Sequence, residues 1–392
     1  MNKYINNLCN ILILMDNLCK ICKSDTSLLF KLELLSSTFI FNMKNVNIVS
    51  CSNCGFCFNN QITQEDCNEY YSNSTNYSHS LYKTQPIQHD RYKYFKELLP
   101  RLNINSNDSI IDLTASDGTL LTYLQHIGYN NITYCDISQT NIDNCEFNNK
   151  YKLNLFEKND YHKINKKYKF IIFSHTLEHI SDLQSIFDNI KLLMDDDSLL
   201  YIEVPDMNRI KCDKNAFLEL SYEHINLFNS TSLNNLCLKN NLINCDLGIL
   251  EFYYRINILV KAVYGVYKVD NTIINKDIIC DTNTQSNLIQ YIDDSKKEFE
   301  NLYNQIDKTK TYSVVGSGSY STYFLTIYND IKINCFYDEV KTGKINDIEV
   351  KPFTDINEDE NILILTPHYY NHIYNKLIQI NINPQKIVPL QF

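Results

Sequence analysis

From residue 91 onward the chain alternates short apolar runs with stretches whose apolar residues recur every three or four positions. The first habit suits buried strands, the second helices packed on one face. "SIIDLTASDGTLLTYLQHIGY" (109–129) reads as a strand, a turn and an amphipathic helix, and "NITYCDIS" (131–138) as a strand ending at Asp136. "YKFIIFSHTLEHI" (168–180) is a hydrophobic strand running into a polar loop. "LQSIFDNIKLLM" (183–194) is a helix and "SLLYIEVPD" (198–206) a strand stopped by Pro205. This alternation predicts an α/β domain with a mainly parallel sheet over 91–270.

A charged helix, "DDSKKEFENLYNQI", follows as a link between domains. Then "YSVVGSGSYSTYFLTIY" (312–328) repeats strand, Gly-rich turn and helix, and "INCFYDEV" (333–340) and "NILILTPHYY" (361–370) read as further strands. A second nucleotide-type sheet is expected over 290–392. Gly316 and Gly318 lack the third glycine of a dinucleotide fingerprint, so an architectural lid without a ligand is an equal reading.

Composition adjusts this picture in a few places. At 392 residues, 44% of them apolar, the chain has room for two or three domains. A net charge of −10 excludes a general nucleic-acid binder, which needs clustered Lys and Arg. No run reaches the roughly 18 apolar residues of a membrane span. "LCNILILM" (8–15) is short and no small-residue cleavage site follows it, so residues 1–14 read as an extension before Met15. Without a secretory signal, the 14 cysteines are expected to be reduced thiols or metal ligands in a cytoplasmic protein. Oligomeric state leaves no signal.

Two Cys-x2-Cys hooks, Cys19/Cys22 and Cys51/Cys54, define the region 15–90. Four thiolates in a tetrahedron make a closed, structural zinc site. Gly55 suits the tight turn after the second hook because it permits positive φ. The stretch between the hooks leaves room for a small hairpin. A redox Cys-x-x-Cys, or chance pairing in a Cys-rich chain, is the competing reading, and Cys57 lies close enough to compete as a ligand.

In the middle region, the small-residue turn Thr114–Gly118 lets backbone approach a ligand at the carboxyl edge of the sheet. Asp136, ending the next strand, is placed to accept from two ribose hydroxyls. A dehydrogenase would want G-x-G-x-x-G, and this turn holds only Gly118.

These motifs, in their order, resemble the sugar C-methyltransferases, which carry methyl from S-adenosylmethionine to a keto-sugar nucleotide. The resemblance covers nearly the whole chain. It implies an α/β fold: a class I (Rossmann-like) methyltransferase domain flanked by a small N-terminal zinc module and a C-terminal Rossmann-like domain. Cys19, Cys22, Cys51 and Cys54 match the zinc ligands. "EYYSNSTNYS" (69–78) resembles the family's Tyr- and Ser-rich segment, making Tyr70, Tyr71 and Ser72 candidate substrate contacts. "DLTASDGTLL" (112–121) resembles the adenosylmethionine turn, "SHTLEHISDL" (174–183) the loop after the fourth strand, and "YEHINLFNSTSL" (222–233) a Glu-His block. Asp112, Thr114, Asp117, Gly118 and Ser174 are thereby implied to edge the cofactor, with Asp136 on its ribose. Thr114 stands where the family usually has Gly, and His175 where it usually has Asn.

Methylating carbon beside a ketone requires a base for the α-proton, and an imidazole oriented by a carboxylate suits that role. His224 is the candidate base and Glu223 its orienter or a sugar ligand. His179, Tyr222 or a tyrosine from 70–77 is a candidate donor to the enolate oxygen. His175 and His179 share a face if their segment is helical. They read either as exposed imidazoles at a helix cap or as part of the site, and a metal reading lacks a third ligand nearby. Tyr222-Glu223-His224 could equally be a surface helix. An O- or N-methyltransferase on a sugar or small metabolite, or a non-catalytic protein retaining the fold, are the alternatives. The expected partner is a nucleotide-linked keto-sugar, with neither nucleic acid nor membrane.

Overall fold

The structure is a computed structural model; it describes residues 18–34, 45–67, 91–210, 212, 214–220, 224–254, 258–272 and 277–392. Residues 1–14, Tyr70, Tyr71, Ser72, Tyr222 and Glu223 lie outside the described residues.

The cysteine region is a meander of β1 (Thr26–Glu33), β2 (Asn45–Cys51) and β3 (Cys57–Asn59), with β1 and β2 antiparallel as the space between the hooks allows. The middle region begins with α1 (Phe95–Arg101), β4 (Ile110–Asp112), α2 (Thr119–His126), β5 (Ile132–Asp136), α3 (Gln139–Asn144) and β6 (Lys150–Lys152). It continues through α4 (Lys158–Ile164), β7 (Phe170–Ser174), α5 (Leu183–Ile190), β8 (Leu199–Pro205), β9 (Asn226–Leu227) and α6 (Ser230–Lys239). The long strands β10 (Leu242–Tyr254) and β11 (Ile258–Val269) close it.

Seven of these strands form one sheet in the order β10-β11-β8-β7-β4-β5-β6. β11 runs antiparallel to both neighbours, so it alone is reversed. The mixed seven-stranded sheet has the character of a class I methyltransferase fold. Its central strands are apolar on both faces because helices cover both. Ile171 and Phe173 enter one hydrophobic core, while Phe170 and Ile172 enter the other, following the period of two. Each such fully buried side chain contributes about 1.5–3 kcal/mol. The β10–β11 ribbon escapes the strand-helix alternation read from sequence, since a hairpin offers no helix between its strands.

β9 leaves this sheet and pairs with β3, joining the cysteine meander. The charged linking helix starts earlier than expected, as α7 (Thr284–Asn304), and buries a stripe including Leu288, Tyr291, Ser295, Phe299 and Leu302. The remaining elements are β12 (Thr311–Val315), α8 (Ser319–Ile327), β13 (Lys332–Asp338), β14 (Gly343–Ile345), β15 (Ile348–Pro352), β16 (Ile362–Ile364) and α9 (Tyr370–Gln379). Their sheet, β14-β15-β13-β12-β16, is parallel except for β14. Ser295 accepts from the Phe217 amide, Tyr291 donates to the Asn215 carbonyl, and Tyr323 donates to the Leu220 carbonyl. The C-terminal region thereby anchors the chain just before residue 221. No helix among the described residues is long and apolar enough to cross a membrane.

Candidate functional site

The turn after β4 sits at the carboxyl edge of the sheet, where β4 and its neighbours end. Ser116 and Gly118 carry its left-handed backbone, with φ of 49° and 73°. Thr114 is not among the positive-φ residues. No glycine is required there, and the Thr114 hydroxyl is hydrogen-bonded to that of Thr176 at 2.8 Å. A side chain at Gly118 would put its Cβ 2.9 Å from the Phe147 ring, so glycine is needed for space as well as φ.

Three acids surround this turn. Asp136 accepts from the amides of Ser116 (3.0 Å) and Ser138 (2.7 Å) and from Asn141 (3.3 Å). Burial raises its pKa despite these bonds. Burial pushes Asp112 up to about 7, with the Asp136 charge adding and the Thr114 amide opposing. Asp117 accepts from the Thr119 amide through one oxygen, while the other is buried without a hydrogen-bond partner. Two acids that resist ionising together, plus an orphaned oxygen, suit a ligand bringing hydroxyls and positive charge.

The loop after β7 turns abruptly at His175, whose φ is 47°. The segment that follows, Leu177–His179, is a single 3-10 turn. His175 pairs with Glu203 of β8 at 2.8 Å and lies 3.4 Å from Glu178. Glu203 also accepts from Arg91 (2.7 Å), Tyr94 (3.3 Å) and Tyr201 (2.6 Å), and Arg91 donates onward to Ser174 at 2.9 Å. Burial alone would raise Glu203, but Arg91 and His175 bring it down to about 2. Burial and Arg91 press His175 down, yet the nearby carboxylates of Glu178 and Glu203 win and raise its pKa. His175 is therefore a bridge between two buried carboxylates. This network, and Arg91 and Glu203 in particular, escaped the sequence reading; a Glu in the apolar run "LLYIEVP" was its one visible trace.

Glu178 is 1% exposed, and neither carboxylate oxygen has a hydrogen-bond partner. His179 Nε2 lies 3.6 Å from it. Burial would raise Glu178; the charges of His179, His175 and His224 instead bring it to about 2. The His179 and His224 rings meet edge-on, centroids 5.0 Å apart.

His224 lies two residues before β9, outside any helix or strand; Tyr222 and Glu223, its partners in the sequence reading, lie outside the described residues. Two contacts hold it there. The Asn59 amide donates to the Ile225 carbonyl at 2.8 Å, and the Asn226 side chain donates to the carbonyls of Leu177 (3.0 Å) and Ile180 (2.5 Å). Lys20, from the first cysteine hook, donates to the same Asn226 side chain through its oxygen at 3.2 Å, fixing which end of the amide faces the turn. Sequence spacing gave no hint of this contact across 206 positions.

The four hook sulfurs lie within 4.8 Å of one another. Cys19 approaches Cys54 at 3.5 Å and Cys22 approaches Cys51 at 3.3 Å. Amides of Ile21, Asn53 and Cys54 point at sulfur, as knuckle amides do around a thiolate. A donor set of four cysteines is compatible with zinc. Gly55 adopts φ of 74°, and a Cβ there would strike the Asp281 carbonyl at 2.0 Å. Cys57 hydrogen-bonds to the Gly55 carbonyl and stands outside the cluster. Every cysteine among the described residues is free of a disulfide.

Residues 87–246 match the family described as "Methyltransferase domain". The matched residues fall mostly within the middle region and include the turn after β4 and the loop after β7. Similar solved structures include a SAM-dependent methyltransferase from Anabaena variabilis, at 15% identity over 54% of this chain and 96% of that one, with a TM-score of 0.40. Others are 1,6-didemethyltoxoflavin-N1-methyltransferase of Burkholderia thailandensis (13% identity, 46% and 78% covered, TM-score 0.34) and coclaurine N-methyltransferase (13%, 46% and 69%, 0.35). No curated protein matches the sequence.

Proposed function

We propose that this chain is an S-adenosylmethionine-dependent methyltransferase that methylates a carbon of a nucleotide-linked keto-sugar. The observation that carries the reading is the meeting of His179 and His224 over Glu178, tied to the cofactor-type turn through the Thr114–Thr176 hydrogen bond.

The bound cofactor supplies an activated methyl group on a sulfonium. Everything else falls to the protein. Asp136 accepts from the ribose; Asp112, Asp117 and Ser174 border the remainder, and Gly118 leaves room for it. His224 takes the proton α to the sugar ketone, and the C–H electron pair becomes an enolate. The enolate carbon would then be the nucleophile for the methyl that the bound cofactor supplies, with the ketone restored on transfer. His179 faces the developing enolate oxygen as its donor. Glu178 stabilises the imidazolium formed, as a carboxylate oriented toward a catalytic imidazole does.

Tyr222 and Glu223, immediately before His224, and Tyr70, Tyr71 and Ser72 are proposed sugar contacts. The four hook cysteines are proposed to hold structural zinc, and the C-terminal sheet to act as a Rossmann-like partner domain closing over the substrate. Asp338 there accepts from the Ser317 amide and hydroxyl, the same acid-and-turn relation as Asp136 with Ser116. The test is turnover of a panel of nucleotide-linked 4-keto-sugars with methyl-labelled cofactor, read by mass spectrometry. A carbon-bound label supports the reading. Label on oxygen or nitrogen makes the protein a methyltransferase of another type, and cofactor binding that fails altogether overturns the whole assignment.

A further inference from the structure

A buried carboxylate normally collects hydrogen bonds, because an unsatisfied one costs its full desolvation. Glu178 is an exception: 1% exposed, with both oxygens unsatisfied. Its backbone is held in place, since Asn226 clamps the carbonyls of Leu177 and Ile180 on either side of it. Imidazoles stand where hydrogen bonds would. One ligand atom from each of Glu178, His179 and His224 lies within 4.8 Å of the other two. The Glu178–His179 separation of 3.6 Å is close to the ~3.3–3.5 Å edge of a tetrahedron with metal–ligand bonds of about 2.0–2.1 Å.

We propose that Glu178, His179 and His224 form a second metal site, taking a divalent transition ion of the zinc class and separate from the four thiolates. Two imidazoles and one carboxylate are borderline ligands suited to such an ion, and three ligands leave a coordination position open. His175 completes the surroundings. It is pinned by Glu203 at 2.8 Å and reaches Glu178 at 3.4 Å, orienting the ligating carboxylate as outer partners commonly do. The sequence places only Glu178 and His179 in one motif; the fold supplies the third ligand from the approach to β9.

One consequence rests on the proposed base role. An ion at this site occupies the lone pair with which His224 would take the α-proton, so metal and turnover exclude each other.

The full-length chain, stripped and reloaded with Co2+, is expected to hold two ions. One gives intense sulfur-to-cobalt absorption from the four-cysteine cluster. The other gives only weak visible bands. His224→Ala and Glu178→Gln should each lose the weak-band ion and keep the intense one, which also reports that the variant has folded. One ion per chain in the unmodified protein, or a second ion retained in both variants, overturns the site. Zinc at a second equivalent should lower kcat at least tenfold in the unmodified enzyme. Two bound ions with undiminished turnover leave the site standing and overturn the base role of His224 instead.

Discussion

Asn226 reaches across 46 positions to donate to the Ile180 carbonyl at 2.5 Å, and in doing so sets His224 beside His179. The same side chain donates to Leu177 and accepts from Lys20 of the first cysteine hook. Its amide is the joint where three parts of the chain meet: the loop after β7, the strand β9 and the metal-type module. Replacing Asn226 with Ala strands buried carbonyls and frees the turn. We expect a loss of roughly 1–3 kcal/mol in stability and a fall in kcat larger than any change in cofactor affinity. Thermal unfolding and turnover, measured together, check it.

The same joint predicts what losing the metal module does at a distance. Cys54→Ser should lower turnover although no hook cysteine is among the proposed substrate contacts. The route is loss of the Lys20 contact and of β3, on which β9 is paired. Activity that survives in Cys54→Ser, with loss of the cysteine-bound ion verified, would break this link.

Gly118→Ala tests the cofactor turn. The new methyl must sit at φ of 73° and 2.9 Å from the Phe147 ring, so the turn or that ring has to move. Affinity for S-adenosylmethionine by calorimetry should drop about tenfold or more, a shift of at least ~1.4 kcal/mol. Thr114→Gly, at a position with ordinary backbone, should change it far less.

The buried acids give a pH signature. Glu178 and Glu203 are both brought down to about 2 in the folded protein. A depressed carboxylate stabilises the fold above its unfolded pKa, and that stabilisation is lost as pH falls toward the folded value. Stability should therefore decline between about pH 4.5 and 2. His175, with a raised pKa, contributes in the opposite sense: its share is complete below about pH 6.5 and fades as pH climbs through the folded value. Glu203→Gln leaves the half-buried Arg91 poorly matched and should cost at most about 3 kcal/mol, flattening the acid limb of the profile. Urea titrations at a series of pH values read both effects.

What could be seen in advance followed from periodicity. Strands such as "FIIFS" and "LLYIEVP" are apolar because they are covered on both faces, and the Thr114–Gly118 turn is visible as small residues between a strand and a helix. The cysteine hooks are legible from spacing alone. Contacts made by residues distant in sequence are not. Glu178 looks like one more polar residue after a strand, and nothing local tells that Glu203 finds its counter-charge in Arg91, 112 positions away. Likewise the β10–β11 ribbon depends on pairing partners, β8 above all, that no window of sequence contains. The sequence singles out His224 and His179 but pairs His224 with its neighbour Glu223; the described structure supplies Glu178 from another loop.

The most direct measurement is exchange of the sugar's α-hydrogen. Incubated in D2O with a nucleotide-linked 4-keto-sugar and no cofactor, the protein should wash deuterium into the carbon beside the ketone. His224→Ala should abolish that exchange while binding S-adenosylmethionine as tightly as before. Exchange that proceeds unchanged in His224→Ala, or methyl transfer to carbon with no His224 dependence, would contradict a base at this position.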